Sequence, residues 1–439
     1  MSDGTHPSFW SPPNTASMPL LPFSPAHLQQ GAFDEKGPRV TTATLPAAPG
    51  KARIALLGLL QILSWGGSFY LLGVLADPIA ADTGWSHQWV LGGASVGLLV
   101  ASLLSPLCGR LISSIGGRKV LAAHGLILAA GLWMMALAPS LPVFLLAWVV
   151  IGAAMATGLY DALFTSLGAT YGLEARPIIV GITLISGFCT TVIWPVLALM
   201  VHLMGWRMTC GVFGGVVLVT LFPLYRWALV GHVPVARSKR VAQQGASTLS
   251  PSIYWAMTGV FAIAAALMTC VSIVALTVLQ ARGHSLASAI ALAAMIGPAQ
   301  VLVRIIDLVL KRQAPMFTAL LSSGLTVLGL LVVDFAPDLV ALGLICYGAG
   351  NGLRAIVKST LPLLVVSSAE YAVVSGRMAR PALLAQAVAP VACGWVISTL
   401  GAEAMIHLLT ALALVAFGLS LWLGRLVARR PSAHIPKST

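Results

Sequence analysis

The 439-residue chain is 58% hydrophobic and only 8% charged, where a soluble domain carries about 25% charged residues, so a soluble globular protein is excluded. Its formal charge of +13 would suit nucleic acid in a soluble chain, but the charges lie where membrane topology requires them, and no nucleic-acid partner is expected. All six cysteines fall inside apolar runs without a C-x-x-C pair, which argues for small buried thiols over a disulfide framework or a metal site. No cofactor is expected.

In chain order, residues 1–50 hold nine prolines among Ser, Thr, Ala and Gly, the composition of a disordered tail. This segment lacks the pattern of a cleaved leader, so the first span is expected to act as its own insertion signal. A spanning helix needs about 20 apolar residues, and the region from Ile54 to Gly424 is long enough for twelve of them with short loops. The runs are continuous, unlike the alternation of barrel strands. The expected spans are Ile54 to Ala76, Val90 to Ile112, Val120 to Leu137, Val143 to Ser166, Ile178 to Val201 and Met208 to Trp227, called helices 1 to 6. After a basic stretch, helices 7 to 12 follow at Ile253 to Leu279, Leu286 to Leu310, Met316 to Val333, Leu339 to Leu361, Ala379 to Leu400 and Met405 to Leu423.

The expected organisation is a cytoplasmic tail (1–50), a six-helix bundle (51–227), a cytoplasmic linker (228–252), a second six-helix bundle (253–424) and a cytoplasmic tail (425–439). With both termini inside, all of the 25 Lys and Arg residues except Arg207, Arg282, Arg304 and Arg354 fall on the cytoplasmic side, as the positive-inside rule demands. The fold class is therefore an all-α polytopic membrane protein, expected in the cell (inner) membrane, with twelve transmembrane helices in two pseudo-symmetric six-helix bundles. An internal repeat agrees with this division. Gly181 and Pro195 recur as Gly376 and Pro390, and Gly158, Leu159, Thr165, Ser166 and Leu167 recur as Gly352, Leu353, Ser359, Thr360 and Leu361.

Between helices 2 and 3 the chain reads Gly109, Arg110, Leu111, Ile112, Ser113, Ser114, Ile115, Gly116, Gly117, Arg118, Lys119. Here it resembles the major facilitator superfamily, whose loop at this place has the pattern G-x-L-x-D-[RK]-x-G-[RK]-[RK]. Ser113 stands at the acidic position, Ser114 at the basic one, and Gly117 is an extra residue before the basic pair. In the family the acid helps to latch the two halves together. The resemblance implies twelve helices, a cavity lined by helices 1, 4, 7 and 10, and a gating loop carried by Gly109, Arg110, Gly116, Arg118 and Lys119. The helix 4 arginine of many proton-driven exporters is absent from Trp148, Val149, Val150, Ile151, Gly152, and helix 5 lacks the dense glycine pattern of drug antiporters.

Ionisable residues inside spans cost at least about 2.5 kcal/mol each at the bilayer centre unless paired or hydrated. Asp161 on helix 4, Arg304 on helix 8 and Arg354 on helix 10 all fall in the cytoplasmic half by their distance along the helix. Asp161, as the proton-responsive group, and Arg354, as counter-charge or anion contact, could share an aqueous path; a structural ion pair is the competing reading. Tyr160 and Asn351 flank them. Arg304 and Asp307 can occupy one face of helix 8, with Asp307 also in reach of Lys311, as a surface network or as a coupling site. Gln61, Trp65 and Tyr70 could line the cavity or pack. His124 and His407 could titrate, or serve as hydrogen-bond partners between helices. Gly348, Gly350 and Gly352 could act as hinges or allow close packing.

No H-E-x-x-H, phosphate-cradling loop or carboxylate cluster is present, so neither an enzyme nor an ATP-driven pump is indicated. The expected activity is secondary transport of a small molecule by alternating access, with protons as coupling partner, the lipid bilayer as surroundings and a monomer as the working unit. Export and uptake both remain open, with export the preferred direction, and the arginines would suit a carboxylate or another oxyanion.

Overall fold

A computed structural model describes residues 49–229, 249–310 and 314–429. Nearly all of the tail over 1–50, most of the linker including Ala242, Lys311, and residues 430–439 lie outside the described residues. Among the described residues every regular element is helical. Eight apolar helical stretches are long enough to cross a membrane. One of them, 141–228, holds helices 4, 5 and 6, and another, 370–428, holds helices 11 and 12. Helix 1 forms the twelfth span in two shorter segments.

The two halves turn back on themselves with the same device. Between helices 5 and 6 the chain reverses at Gly205 (φ 76°, ψ 166°), and between helices 11 and 12 at Gly401 (φ 86°, ψ 172°). A side chain resists that conformation, so a glycine at matching points of both halves extends the sequence repeat into the backbone.

Several spans expected as single helices are broken. Helix 1 runs Lys51–Gly66 and Leu72–Thr83, helix 4 Leu141–Gly158 and Tyr160–Tyr171, and helix 8 Leu286–Ala294 and Ile296–Val309; helix 5 is interrupted after Ala175–Ser186. An apolar run shows its length but not its backbone breaks. In a bilayer such breaks persist only where other groups satisfy the freed carbonyls. At the helix 4 break, Leu159 is extended and the Gly158 carbonyl accepts a 2.8 Å hydrogen bond from Gln61. Gln61 also donates to Tyr225 Oη and is fully buried. It therefore lies inside the N-terminal bundle and does not itself line the cavity. His124 is likewise fully buried and bonds to the Ala154 carbonyl and Ser64 Oγ, the role of a partner between helices.

Helix 10 (Val340–Thr360) is unbroken through its alternating glycines. A Cβ on Gly348 would lie 2.7 Å from the Ile296 carbonyl, one on Gly350 2.6 Å from the Ser322 carbonyl, and one on Gly352 2.7 Å from the Gln300 carbonyl. These glycines let helices 8 and 9 approach the helix 10 backbone, as small residues do where lipid gives no hydrophobic drive. Close packing by itself requires glycine at these three positions.

The N-terminal bundle has one continuous core around Leu57, Leu128, Phe144, Trp148, Ile151 and Leu197. In the C-terminal bundle the core divides into a cluster including Val271, Leu330, Leu344 and Ile406 and another including Ile253, Met257, Val357 and Leu423. A side cavity of about 520 Å³, with Asn351, Arg354 and Tyr347 in its wall, lies within this bundle.

Candidate functional site

Helices 1, 2, 4, 7, 10 and 11 line a central cavity between the bundles. It extends from the middle of the spans toward the face where helix 1 begins and helices 6 and 12 end, called the linker face here. Its N-terminal wall is aromatic. Trp65 lies 4.9 Å from Tyr160, which stacks on Phe164 at 4.8 Å, and Phe69 meets Trp65 edge-on. The break in helix 4 turns Tyr160 toward helix 5, where its hydroxyl shares a 2.6 Å hydrogen bond with Ser186 Oγ. Trp65 Nε1 is held by Gln61 Oε1, so the rings are fixed by polar groups behind them. Of the aromatic candidates on helix 1, Trp65 lines the cavity, while Tyr70 packs on Trp65 and Trp194.

Asp161 and Arg354 both line this cavity, but Asp161 pairs with a different cation: Lys358 Nζ approaches Asp161 Oδ1 at 2.5 Å, from helix 10 to helix 4. Lys358 sits one turn beyond Arg354, on the same helical face. Arg354 donates from Nε to Asn351 Oδ1 at 2.9 Å and directs Nη2 at the Met268 sulfur. No carboxylate among the described residues forms an ion pair with it. Asn351 itself faces the side cavity of the C-terminal bundle and holds Arg354 from behind.

Arg304 and Asp307 do not bond to each other. Arg304, only 7% exposed, donates to the Gly352 carbonyl on helix 10 and the Thr183 carbonyl on helix 5. Thr183 lies in the last turn before the helix 5 break, so the guanidinium supports the negative end of that segment. Asp307 accepts from Arg176 Nη2 at 2.9 and 3.1 Å, and the same nitrogen donates to Thr318 Oγ1. Helix 8 thus sends both side chains across to helix 5; the expected contact of Asp307 with Lys311 lies outside the described residues. Arg176 and Lys358 were read from sequence only as cytoplasmic charges. Their signals were the position of Arg176 beside Pro177 at the start of helix 5 and the one-turn spacing of Lys358 from Arg354.

Near the end of helix 2, which runs His87–Ile115, Gly109 permits a close approach between the bundles. A Cβ there would overlap the Ala372 carbonyl and lie 3.1 Å from Gly376 Cα on helix 11. Ser105 and Ser102 on the same face donate to the Gly376 and Arg380 carbonyls. Gly116 makes the turn at φ 88°, and the additional Gly117 packs where a Cβ would overlap the Ser166 side chain of helix 4. Arg110 and Lys119 are exposed and Arg118 half-buried, at the linker face.

Two helical bundles around a central cavity, with charged residues from both at its floor, define a polytopic membrane carrier. A sequence model of the Major Facilitator Superfamily matches residues 57–379, and the chain belongs to that superfamily. It is accordingly a multi-pass secondary transporter and not an enzyme. The structure is similar to the human organic anion transporter MFSD10 (TETRAN), with 18% identity, TM-score 0.64 and coverage of 85% of this chain and 100% of that one. It is also similar to the proton:xylose symporter XylE (11%, TM-score 0.64, 86% and 96%) and to FucP in the outward conformation (13%, TM-score 0.65, 85% and 98%). At these identities the likeness concerns the fold. No curated protein matches the sequence.

Proposed function

We propose that this carrier couples the movement of a small molecule to that of protons, exporting its substrate, with Asp161 as the proton-responsive group. The observation that carries this reading is the Asp161–Lys358 pair, which joins the two bundles at the cavity floor. Opening at the linker face pulls helix 4 from helix 10 and must break it. A proton on Asp161 removes the attraction beforehand, so protonation and opening are linked. The basic residues at the linker face support placing that face in the cytoplasm, and charges in that half of the cavity support loading from inside. One observation favours uptake instead: the described conformation is bonded shut at the linker face, as a carrier awaiting substrate from the other side would be.

Proteoliposomes holding a pH-sensitive dye test the coupling. Addition of a transported compound should move protons in the wild type, whereas Asp161→Asn should keep transport but lose its pH dependence. An unchanged pH profile in Asp161→Asn would make the carboxylate structural. Gradients of opposite sign decide between export and uptake. Reporter fusions at Ala336 and Ala242 should report opposite sides of the membrane, and agreement between them would sink the orientation.

A further inference from the structure

The two walls of the central cavity differ in chemistry, and from this difference we infer that the substrate is an amphipathic organic monoanion, its flat apolar body against helices 1 and 4 and its oxyanion on Arg354. The inference rests on reading the cavity as the transport site and names the substrate class of that site.

The ionisable residues in the cavity wall are Asp161, Arg354 and Lys358. Asp161 and Lys358 compensate each other at 2.5 Å, which leaves Arg354 with the neutral partners Asn351 and Met268. A guanidinium withdrawn from water with neutral partners only is left uncompensated. When the cavity closes over its content the remaining water leaves, and a single negative charge brought by the substrate restores neutrality. A carboxylate or sulfonate matches the guanidinium fork in two parallel hydrogen bonds. A second negative charge would have to displace Asp161 from Lys358.

The opposite wall presents Trp65, Phe69, Tyr160 and Phe164. Aromatic faces also attract cations, by about 0.5–2 kcal/mol. Here Tyr160 and Phe164 are stacked on each other with an 11° interplanar angle, which uses one face of each ring, and an incoming cation would meet the uncompensated Arg354 across the cavity. An apolar planar body gains contact with the rings without that penalty. The space between the two walls is lined mainly by apolar side chains with a few polar groups converging on it, the composition of a small-molecule site.

Thermal unfolding of the purified full chain in detergent, with 2-naphthoate, 2-naphthamide, 2-naphthylmethylammonium and acetate as probes, tests this without protons or direction. Failure here leaves the coupling test standing, and failure there leaves this one standing. Naphthoate alone should raise the unfolding midpoint, increasingly with concentration. The shift should vanish in Arg354→Gln and diminish in Trp65→Ala. The inference is overturned if the ammonium or the amide matches naphthoate, if acetate does as well, or if no probe raises the midpoint. The wild-type comparison of the four probes decides even where Arg354→Gln does not fold. A folded Arg354→Gln with an undiminished naphthoate shift would also overturn it.

Discussion

From the middle of the membrane to the linker face, charged and polar side chains join one bundle to the other: Asp161 to Lys358, Arg176 to Asp307, Arg304 to the Thr183 carbonyl, and Ser105 to the Gly376 carbonyl. At the opposite face the charges bond within a bundle. Arg282 joins Glu403 and Asp334, and His407 joins Asp334, all in the C-terminal bundle, while Arg207 meets Asp82 and His87 meets Asp77 in the N-terminal one. Among the described residues no ion pair or hydrogen bond crosses between bundles in that half. The difference teaches that one set of charges staples each bundle into a rigid body, and another set holds the two bodies in one of their states. Alternating access needs both: bodies that keep their shape, and a seam whose bonds can be exchanged.

The largest expected effect comes from breaking the seam at its most buried pair. The side chains of Arg176 and Asp307 are 10% and 6% exposed. Arg176→Ala or Asp307→Ala strands an unpaired charge, which costs about 3–5 kcal/mol, whereas replacing both with apolar residues costs much less. Each single variant should unfold at lower temperature than the double variant Arg176→Met with Asp307→Leu, and spin labels at the linker face should report wider separation. Singles as stable as the double would remove the pair from the seam.

Next comes Gly109→Leu. Overpacking costs about 1–3 kcal/mol, all of it levied on the state in which helix 2 touches helix 11, so the closed conformation should lose roughly fivefold to a hundredfold in population. Flux in proteoliposomes should fall while membrane insertion and substrate binding stay nearly intact. Wild-type flux would end the gating role of this loop.

Gln61→Leu probes a bundle instead of the seam. The Gly158 carbonyl and Tyr225 hydroxyl lose their partner, at about 1–3 kcal/mol for buried groups. Thermal stability should fall, with no change in label distances across the linker face. A changed distance would show that the helix 4 break belongs to the seam as well.

The smallest effect is expected at the opposite face. Hydrogen bonds from Arg282 hold the Glu403 carboxyl below its ordinary value of 4.5, outside the apolar span that begins at Met405. The folded value is depressed, so this contribution is present above pH 4.5 and lost as the pH falls through the lowered value. It is small because Glu403 is 58% exposed. Stability curves of wild type and Glu403→Gln should separate slightly above pH 4.5 and converge in acid, without any change in interbundle distance.

Much of the fold was legible in the sequence because the length of an apolar run and the distribution of Lys and Arg along the chain need no knowledge of neighbours. Twelve spans and a division into two halves follow from such one-dimensional features, whereas the placing of Asp161 and Arg354 at one cavity rested on the family resemblance, which implies that helices 4 and 10 line it. The breaks at Leu159 and after Ser186 were hidden, since a Gly, Thr or Ser inside an apolar run is as common in an unbroken membrane helix as in a broken one. At the first, Gln61, distant in sequence, bonds the freed Gly158 carbonyl; at the second, Arg304 adds a donor to the Thr183 carbonyl that the Gly187 N–H already caps.

The sequence by itself determined a multi-pass helical membrane protein, because the cost of exposing polar backbone and charge to lipid acts on every residue separately; the carrier class came from the resemblance carried by the stretch from Gly109 to Lys119. Only the tertiary structure decided which charges meet. Asp161 pairs with Lys358 and not Arg354, and Asp307 with Arg176 and not Arg304, because the rotation of each helix about its axis and the closeness allowed by Gly109, Gly348 and Gly352 set which side chains share a seam. Those are properties of pairs of helices, and no single span carries them.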